Sequence, residues 1–524
     1  MTSVTPARLK AMLHDGSELA LLDVREAGQF GESHLLFATP LPYSRLELDI
    51  GTLVPRKTAP VVLCDDGQSG VARRAAERLE SMGYAHVAIL DGGTAGWAAA
   101  GYTLFAGVNV PSKTFGELVE HAYHTPRITA QELARMKAAG EDLVILDGRP
   151  YTEYRKMNIP GGICCPNAEL PYRVAALVKN PKTKIVVNCA GRTRSIIGAQ
   201  TLINMGVKNP VYALENGTQG WFLADMPLEH GATRKYPDTV DDASLPALRT
   251  SAHALMQRHG VEVVSAAQAR TWLDDGSRST YLLDVRTPEE FAAGSLPGAV
   301  HAPGGQLIQA TDQWVGVRNA RIIVVDSEGV RAPVVASWLK QLGCHVYVLD
   351  GGIAAGLRAA PPALPRLPDV DVVSAEELAI LLASSAASVF DLGSSMAFRE
   401  AHIPGSHWSI RPRLLEAARH ATGTIVLVAD HPDIARLAAA DLLESGVSRI
   451  KRLEGGRAAW TAAGFPTAAS SDIPPDEQCI DYLFFVHDRH AGNKAAMRQY
   501  LAWETGLMAQ LDDDDLSAFD VAPG

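Results

Sequence analysis

A cysteine and an arginine in one short loop are the residues of this chain best placed to do chemistry. The loop reads Cys189-Ala190-Gly191-Arg192-Thr193-Arg194-Ser195 and follows the apolar run Lys184-Ile185-Val186-Val187-Asn188. A helix-like segment follows at once. A short loop between a buried strand and a helix amino terminus curls backbone N–H groups inward and makes an anion nest. The helix dipole adds positive potential at the same point. Arg192 and Arg194 add fixed charge and planar donors, and Gly191 permits the tight curl. Together these should lower the thiol pKa of Cys189 and hold an oxyanion beside the sulfur.

The elements that must position this loop recur four times. Leu90-Asp91-Gly92-Gly93, Leu214-Glu215-Asn216-Gly217, Leu349-Asp350-Gly351-Gly352 and Leu453-Glu454-Gly455-Gly456 are one phrase, followed by Trp97, Trp221, Leu357 and Trp460. Such repetition sets the architecture before any single residue is read. Each unit opens with Ser or Thr (Thr5, Thr129, Ser265, Ser374) before an apolar-periodic run, an N-cap signal. A short apolar strand then ends in Asp23, Asp147, Asp284 or Asp391. A Pro-Gly turn comes next at Pro160-Gly161, Pro297-Gly298 and Pro404-Gly405, but the first unit has lost it. A β-branched strand, a loop, an Ala/Leu-rich helix and a last strand complete the unit. Strands alternating with helices imply a parallel sheet covered on both faces, with ligands bound beyond the carboxyl ends of the strands.

The 524 residues suit roughly three or four domains at about 150 each. A net charge of −11 weighs against a nucleic-acid partner. The amino terminus is not followed by a signal-like apolar run, and no apolar segment is long enough to span a bilayer. The expectation is a soluble, cytoplasmic protein with no membrane contact. Six cysteines without a C-x-x-C pair argue against a disulfide scaffold and against zinc. A polar linker with a helix over residues 245–258 and a Pro-rich run at Pro361-Pro362-Ala363-Leu364-Pro365 separate units. The tail is expected to hold a strand-like run at Tyr482-Leu483-Phe484-Phe485-Val486, a helix over about 495–510 and a solvated acidic run at 512–515.

The fourfold pattern, the Asp-x-Arg openings (Asp23/Arg25, Asp147/Arg149, Asp284/Arg286), the Ile-Pro-Gly turn and the Cys-x4-Arg loop together resemble the rhodanese family of sulfurtransferases. The resemblance implies an α/β fold: four tandem units, each a five-stranded parallel sheet flanked by helices, over 1–104, 125–230, 258–358 and 370–466, with an extension over 467–524. It implies a thiolate that takes sulfane sulfur from thiosulfate or a similar donor, becomes a persulfide, and passes the sulfur to cyanide or a thiol. Carried onto this chain, Cys189 is the nucleophile and the backbone from Ala190 through Gly191, Arg192, Thr193 and Arg194 to Ser195 is the anion cradle. Arg192 and Arg194 bind the anionic end of the donor, and Asp147 with Arg149 buttresses the loop. No metal or organic cofactor is implied. The partners expected are a small sulfur donor and a thiol or cyanide acceptor, with a protein acceptor as a further option.

The other three loops depart from this pattern. Unit one offers Cys64 followed by Asp65 and Asp66, which should raise its thiol pKa and repel an anionic donor. Cys64 reads as a buried, inert thiol, with a secondary reactive thiol as the alternative and Arg73 or Arg74 as substitutes for the missing arginine. The span from Cys64 to Gly83 makes this loop read two residues longer than that of unit two. Unit three has Asp326 in place of the nucleophile, free to pair with Arg331, and unit four has Ala429. Both read as inactive. Of Cys164 and Cys165, one reads as core and the other as core or as a resolving thiol for Cys189; Cys344 and Cys479 read as packing residues. Two rival functions fit the same residues: a Cys-dependent phosphatase or arsenate reductase, and a sulfur-carrier or protein-binding scaffold with incidental turnover.

Overall fold

The computed structural model describes residues 2–521, except the side chains of residues 490 and 491. It contains four five-stranded parallel sheets, and the same order of strands recurs in each: first, fifth, fourth, second, third by chain position. In unit two these strands are Arg127–Ile128, Leu143–Asp147, Ile163–Cys164, Lys184–Asn188 and Val211–Leu214. The fourth strand is central and runs buried from Ile185 to Asn188, as expected of a strand covered by helices on both faces. The expected caps form. The Thr5, Thr129, Ser265 and Ser374 hydroxyls each accept a backbone N–H three residues on. Glu132 and Glu377 close capping boxes.

The repeated Leu-Asp/Glu-Gly-Gly phrase has a steric cause. Its third residue is left-handed in every unit: Gly92, Asn216, Gly351 and Gly455 have φ of 69°, 60°, 75° and 66°. The glycine after it lies against the loop that follows the central strand. A Cβ on Gly93, Gly217, Gly352 or Gly456 would fall 2.3, 2.3, 2.2 or 2.4 Å from the carbonyl oxygen of Asp65, Cys189, Asp326 or Ala429. A side chain there would push the loop off its seat. Trp97, Trp221 and Trp460 fix the next turn by donating to the carbonyls of Thr103, Pro227 and Pro466; Leu357 fills that place in unit three.

The linkers and tail tie the units together. Helix Val110–Tyr123, between units one and two, packs on helix Thr193–Asn204, where a Cβ on Gly116 would come within 2.8 Å of Thr193 Cγ2. Helix Leu245–Arg258 forms as expected. One apolar cluster draws on three units, with Val54, Ile196, Tyr281 and Trp338 among its members. The aromatic run Tyr482–Val486 is not a strand. It enters helix Phe484–His487, because the main chain beside it is engaged without a sheet edge: the Ile480 carbonyl accepts from Gly28 and Gln29. Helix Lys494–Thr505 follows. The acidic run is not simply solvated either. Asp512 caps helix Asp513–Ser517, and Lys10 of unit one pairs with Asp512 and Asp515 at 2.8 Å each. Among the described residues, no helix is long and apolar enough to cross a membrane.

Candidate active site

Cys189 is the first residue beyond the central strand of unit two, and helix Thr193–Asn204 starts four residues later. Its carbonyl accepts from Thr218 N at 2.8 Å, and that of Ala190 accepts from Gln219 N at 3.1 Å. These bonds hold both carbonyls against the Gly217 turn. The sulfur receives a hydrogen bond from Ser195 Oγ at 3.2 Å and is only 2% exposed. Beneath the loop, Arg149 grips Asp147 with Nε–Oδ1 at 2.9 Å and Nη2–Oδ2 at 2.7 Å, and also donates to Met157 O at 2.6 Å. Asn188 Nδ2 adds a bond to Asp147 Oδ2 at 3.2 Å.

The two loop arginines diverge. Arg194 donates twice to Glu153, at 2.8 Å each, and once to Gln306 of unit three at 3.1 Å. Burial works against its charge, but Glu153 and then Cys189 hold its pKa above the ordinary arginine range. Arg192 does not turn its guanidinium to the donor side. It is 7% exposed, bonds to Glu117 at 2.7 and 2.8 Å, and also bonds to Glu120. The expectation that its side chain binds the donor is corrected, because two carboxylates of the linker helix claim it; only its backbone remains part of the loop.

Strand register corrects the reading of unit one. Asp23 pairs with Cys64, whereas Asp147 pairs with Asn188, Asp284 with Val325 and Asp391 with Val428. Cys64 is therefore the last residue of its strand, and Asp65 is the counterpart of Cys189, Asp326 and Ala429. The loop is one residue longer than in unit two, not two. Cys64 lies in an apolar cluster with Leu21, Val62 and Trp97, and its thiol pKa is pushed well up by burial, with Asp23 adding to the effect.

In units one and three the nest is filled from within. Asp65 accepts from Gly67 N at 2.8 Å and Ala72 N at 3.0 Å. Asp326 accepts from Gly329 N, Val330 N and Ala332 N at 2.9 Å each. Each carboxylate stands where an oxyanion would sit. Asp326 does not pair with Arg331 as expected; Arg331 is engaged by Glu328, Glu169 and Glu290. Nor does Arg74 fold back on its own loop, since it reaches Pro412 O and Asp441 in unit four, while Arg73 is exposed. Cys164 donates to Arg149 O at 3.5 Å, and Cys165 is packed with Leu146 and Leu170. Burial pushes the Cys164 thiol up to about 12.

The rhodanese-like domain family matches residues 5–100, 129–224 and 265–359, more than half of the chain. The chain belongs to the rhodanese-like domain family. The fourth sheet lies outside those spans yet repeats the rhodanese-like strand order. The chain is similar over its whole length to a crystal structure of thiosulfate sulfurtransferase from Pseudomonas aeruginosa, with 44% identity, 100% of each chain covered and a TM-score of 0.92. It is 36% identical over 105 residues to an HTH-type transcriptional regulator of Mycobacterium tuberculosis, covering 20% of this chain and 45% of that protein. It is 30% identical over 102 residues to YrkF of Bacillus subtilis, covering 20% of this chain and 54% of that protein. The chain thus spans about half the length of these two curated relatives.

Several residues around the rhodanese-like centre escaped the sequence reading. Glu153 had a usable signal, because Glu290 stands at the same offset after Asp284 as Glu153 does after Asp147, and both hold the loop arginine. Glu117, Gln306 and Glu504 had none. They come from a linker, another unit and the extension, and only folding brings them to the loop.

Proposed function

We propose that the chain is a cytoplasmic sulfurtransferase with one competent centre at Cys189. One observation carries the reading: of the four loop positions that lie against the second glycine of the repeat phrase, only that of Cys189 bears a thiol; membership of the rhodanese-like domain family and the full-length likeness to a thiosulfate sulfurtransferase support sulfur transfer as the activity. The others hold Asp65, Asp326 and Ala429, none of which can form a stable persulfide.

The Cys189 thiolate attacks the outer sulfur of thiosulfate or a similar anionic donor. A bond forms between the two sulfurs, the donor's own S–S bond breaks, and sulfite leaves with the electron pair. The persulfide then gives its outer sulfur to cyanide or a thiol, and the Cys189 thiolate is restored. Donor product leaves before acceptor arrives, so the kinetics are ping-pong. In this reading the loop amides from Ala190 to Ser195 and the charge of Arg194 stabilise the anionic donor and the thiolate. The Ser195 hydroxyl bond to sulfur supports the same charge. Asp147 and Arg149 keep the loop from relaxing, since removing either leaves a buried charge unpaired.

Intact-mass measurement tests the proposal. Thiosulfate should add the mass of one sulfur atom to the wild-type chain at Cys189, and cyanide should remove it. Turnover of an aryl phosphate without sulfur uptake would move the assignment to a phosphatase.

A further inference from the structure

We propose that Gln306, supplied by unit three, is a positioning residue of the Cys189 centre: its amide holds the Arg194 guanidinium in place without cancelling the charge that an anionic sulfur donor needs. The proposal rests on the sulfur-transfer reading above, and it gives unit three, which has no thiol on its own loop, a part in that site.

Units two and three meet as mates. Glu153 and Glu290, Glu169 and Gln306, and Arg194 and Arg331 stand the same number of residues apart, so each pair fills one place in the repeat. The contacts between the units are reciprocal. Arg194 Nη1 of unit two donates to Gln306 Oε1 of unit three at 3.1 Å, and Arg331 Nη1 of unit three donates to Glu169 Oε1 of unit two at 2.8 Å. Each loop arginine thus receives one side chain from the opposite unit, and from the same place in the fold. Helix Gly304–Gln309 comes this close because it begins with two glycines. A Cβ on Gly304 would lie 2.9 Å from Ala168 Cβ, and one on Gly305 would lie 3.2 Å from Asn167 N. Asn167 in turn donates from Nδ2 to Arg194 O at 2.9 Å. One turn of unit two therefore supports both the loop backbone and the helix that bears Gln306.

The mates differ in charge. Arg331 bonds Glu328 at 2.6 and 2.7 Å, Glu290 at 2.6 and 2.9 Å, and Glu169 as well. Asp326 already fills the nest of that loop. Arg194 bonds one carboxylate, Glu153. Gly191 stands where unit three has Glu328, and Gln306 stands where unit two has Glu169. Two carboxylates that neutralise Arg331 are thus missing around the arginine of the loop that bears the thiol. Cys189, Asp147 and Arg149 are the other charged or ionisable groups in its field. An amide oxygen accepts the same hydrogen bond as a carboxylate but brings no full charge. A carboxylate at that 3.1 Å contact would add one beside a guanidinium that is 11% exposed, where opposite charges couple more strongly than in open water.

Gln306→Glu tests this with almost no change of shape, since it keeps the acceptor oxygen and adds charge. Thiosulfate, a dianion, should lose at least about tenfold in kcat/KM, mainly through KM. Alkylation of Cys189, read by peptide mass, should shift to higher pH, and iodoacetate should slow about fivefold relative to uncharged iodoacetamide. Gln306→Ala removes the hydrogen bond without adding charge, so thiosulfate use should fall by less and the reagent ratio should stay near that of the wild type. Glu169→Gln, the matching change at the Arg331 contact, should also leave the ratio in place. An unshifted ratio in Gln306→Glu overturns the proposal, as does an equal shift in Glu169→Gln. Thiosulfate use that is unaltered in Gln306→Ala, or lost equally in both Gln306 variants, overturns it too, the latter by making Gln306 an interface contact only. If thiosulfate loads no sulfur onto the wild type, the sulfur-transfer reading fails, while the alkylation ratio still judges Gln306.

Discussion

Asp65 and Cys189 occupy the same point in two copies of one fold. The carbonyl of each accepts a 2.8 Å hydrogen bond, from Thr94 N and Thr218 N respectively, and each lies under the second glycine of its repeat phrase. In one copy the side chain is a carboxylate that fills its own amide nest; in the other it is a thiol.

That equivalence separates the two cysteines nearest to loops. Cys189→Ser should abolish sulfur uptake measured by intact mass. Cys64→Ser should leave uptake in place, because Cys64 faces an apolar cluster. It should instead lower the melting temperature, by the equivalent of about 1–3 kcal/mol for a hydroxyl buried among apolar groups. Loss of uptake in the Cys64 variant would move the centre to unit one.

Arg194 and Glu153 form the charge balance beside the sulfur. Arg194→Ala should weaken use of anionic donors by at least about tenfold in kcat/KM and slow alkylation of Cys189 by iodoacetamide. Glu153→Gln leaves Arg194 less neutralised, so donor use should rise. A rise in both variants, or in neither, contradicts the assigned role.

Gly217 supports the loop sterically. Gly217→Ala puts a methyl into the Cys189 and Gly191 carbonyls, at 2.3 and 2.8 Å, at a φ of 53°. It should cost about 2 kcal/mol or more and remove sulfur uptake. Gly456→Ala makes the same clash with Ala429 O in unit four, so it should lower the melting temperature while uptake persists.

Glu26 should give the fold a pH dependence. Burial pushes it up to about 7, despite the hydrogen bonds from Ser44. A carboxyl with a raised folded pKa binds more protons folded than unfolded between its two pKa values. Stability from this group therefore falls as pH climbs from 4.5 to about 7, then levels. Glu26→Gln should remove the slope and be the more stable form above neutrality, by on the order of 2 kcal/mol. Thermal melts of both proteins across that range read the difference.

Trp503 holds the extension in place. Its ring fills the space that a Cβ on Gly107 would need, and its Nε1 donates to Ala106 O at 2.9 Å. Trp503→Ala should loosen helix Lys494–Thr505 by up to about 3 kcal/mol and speed iodoacetamide modification of Cys189. An unchanged alkylation rate would show that the extension does not cover the thiol.

Much of the fold was legible because it is local and repeated. Thr129 with Glu132 reads as a helix start, Lys184–Asn188 as a buried strand, and the Gly-Gly phrase as a fixed turn, each from neighbours in the chain. The error at Cys64 has a physical origin: a strand end and a loop start differ by one residue in sequence, and only pairing with Asp23 shows which side Cys64 is on. The aromatic run at 482–486 misled for a related reason. Its composition suits a strand, but among the described residues it pairs with no sheet edge.

The sequence by itself determined the fourfold parallel architecture and the family resemblance, and it pointed to Cys189 as the proposed centre, since strand periodicity, turn glycines and loop spacing are written within about a hundred residues. Tertiary structure decided how the charge is balanced and what closes the site. Arg192 and Arg194 look like free cations in the chain, yet Glu117, Glu120 and Glu153 neutralise them, and Glu504 arrives from more than three hundred positions away. Coulomb and hydrogen-bond terms depend on distance in space, and chain order does not report that distance.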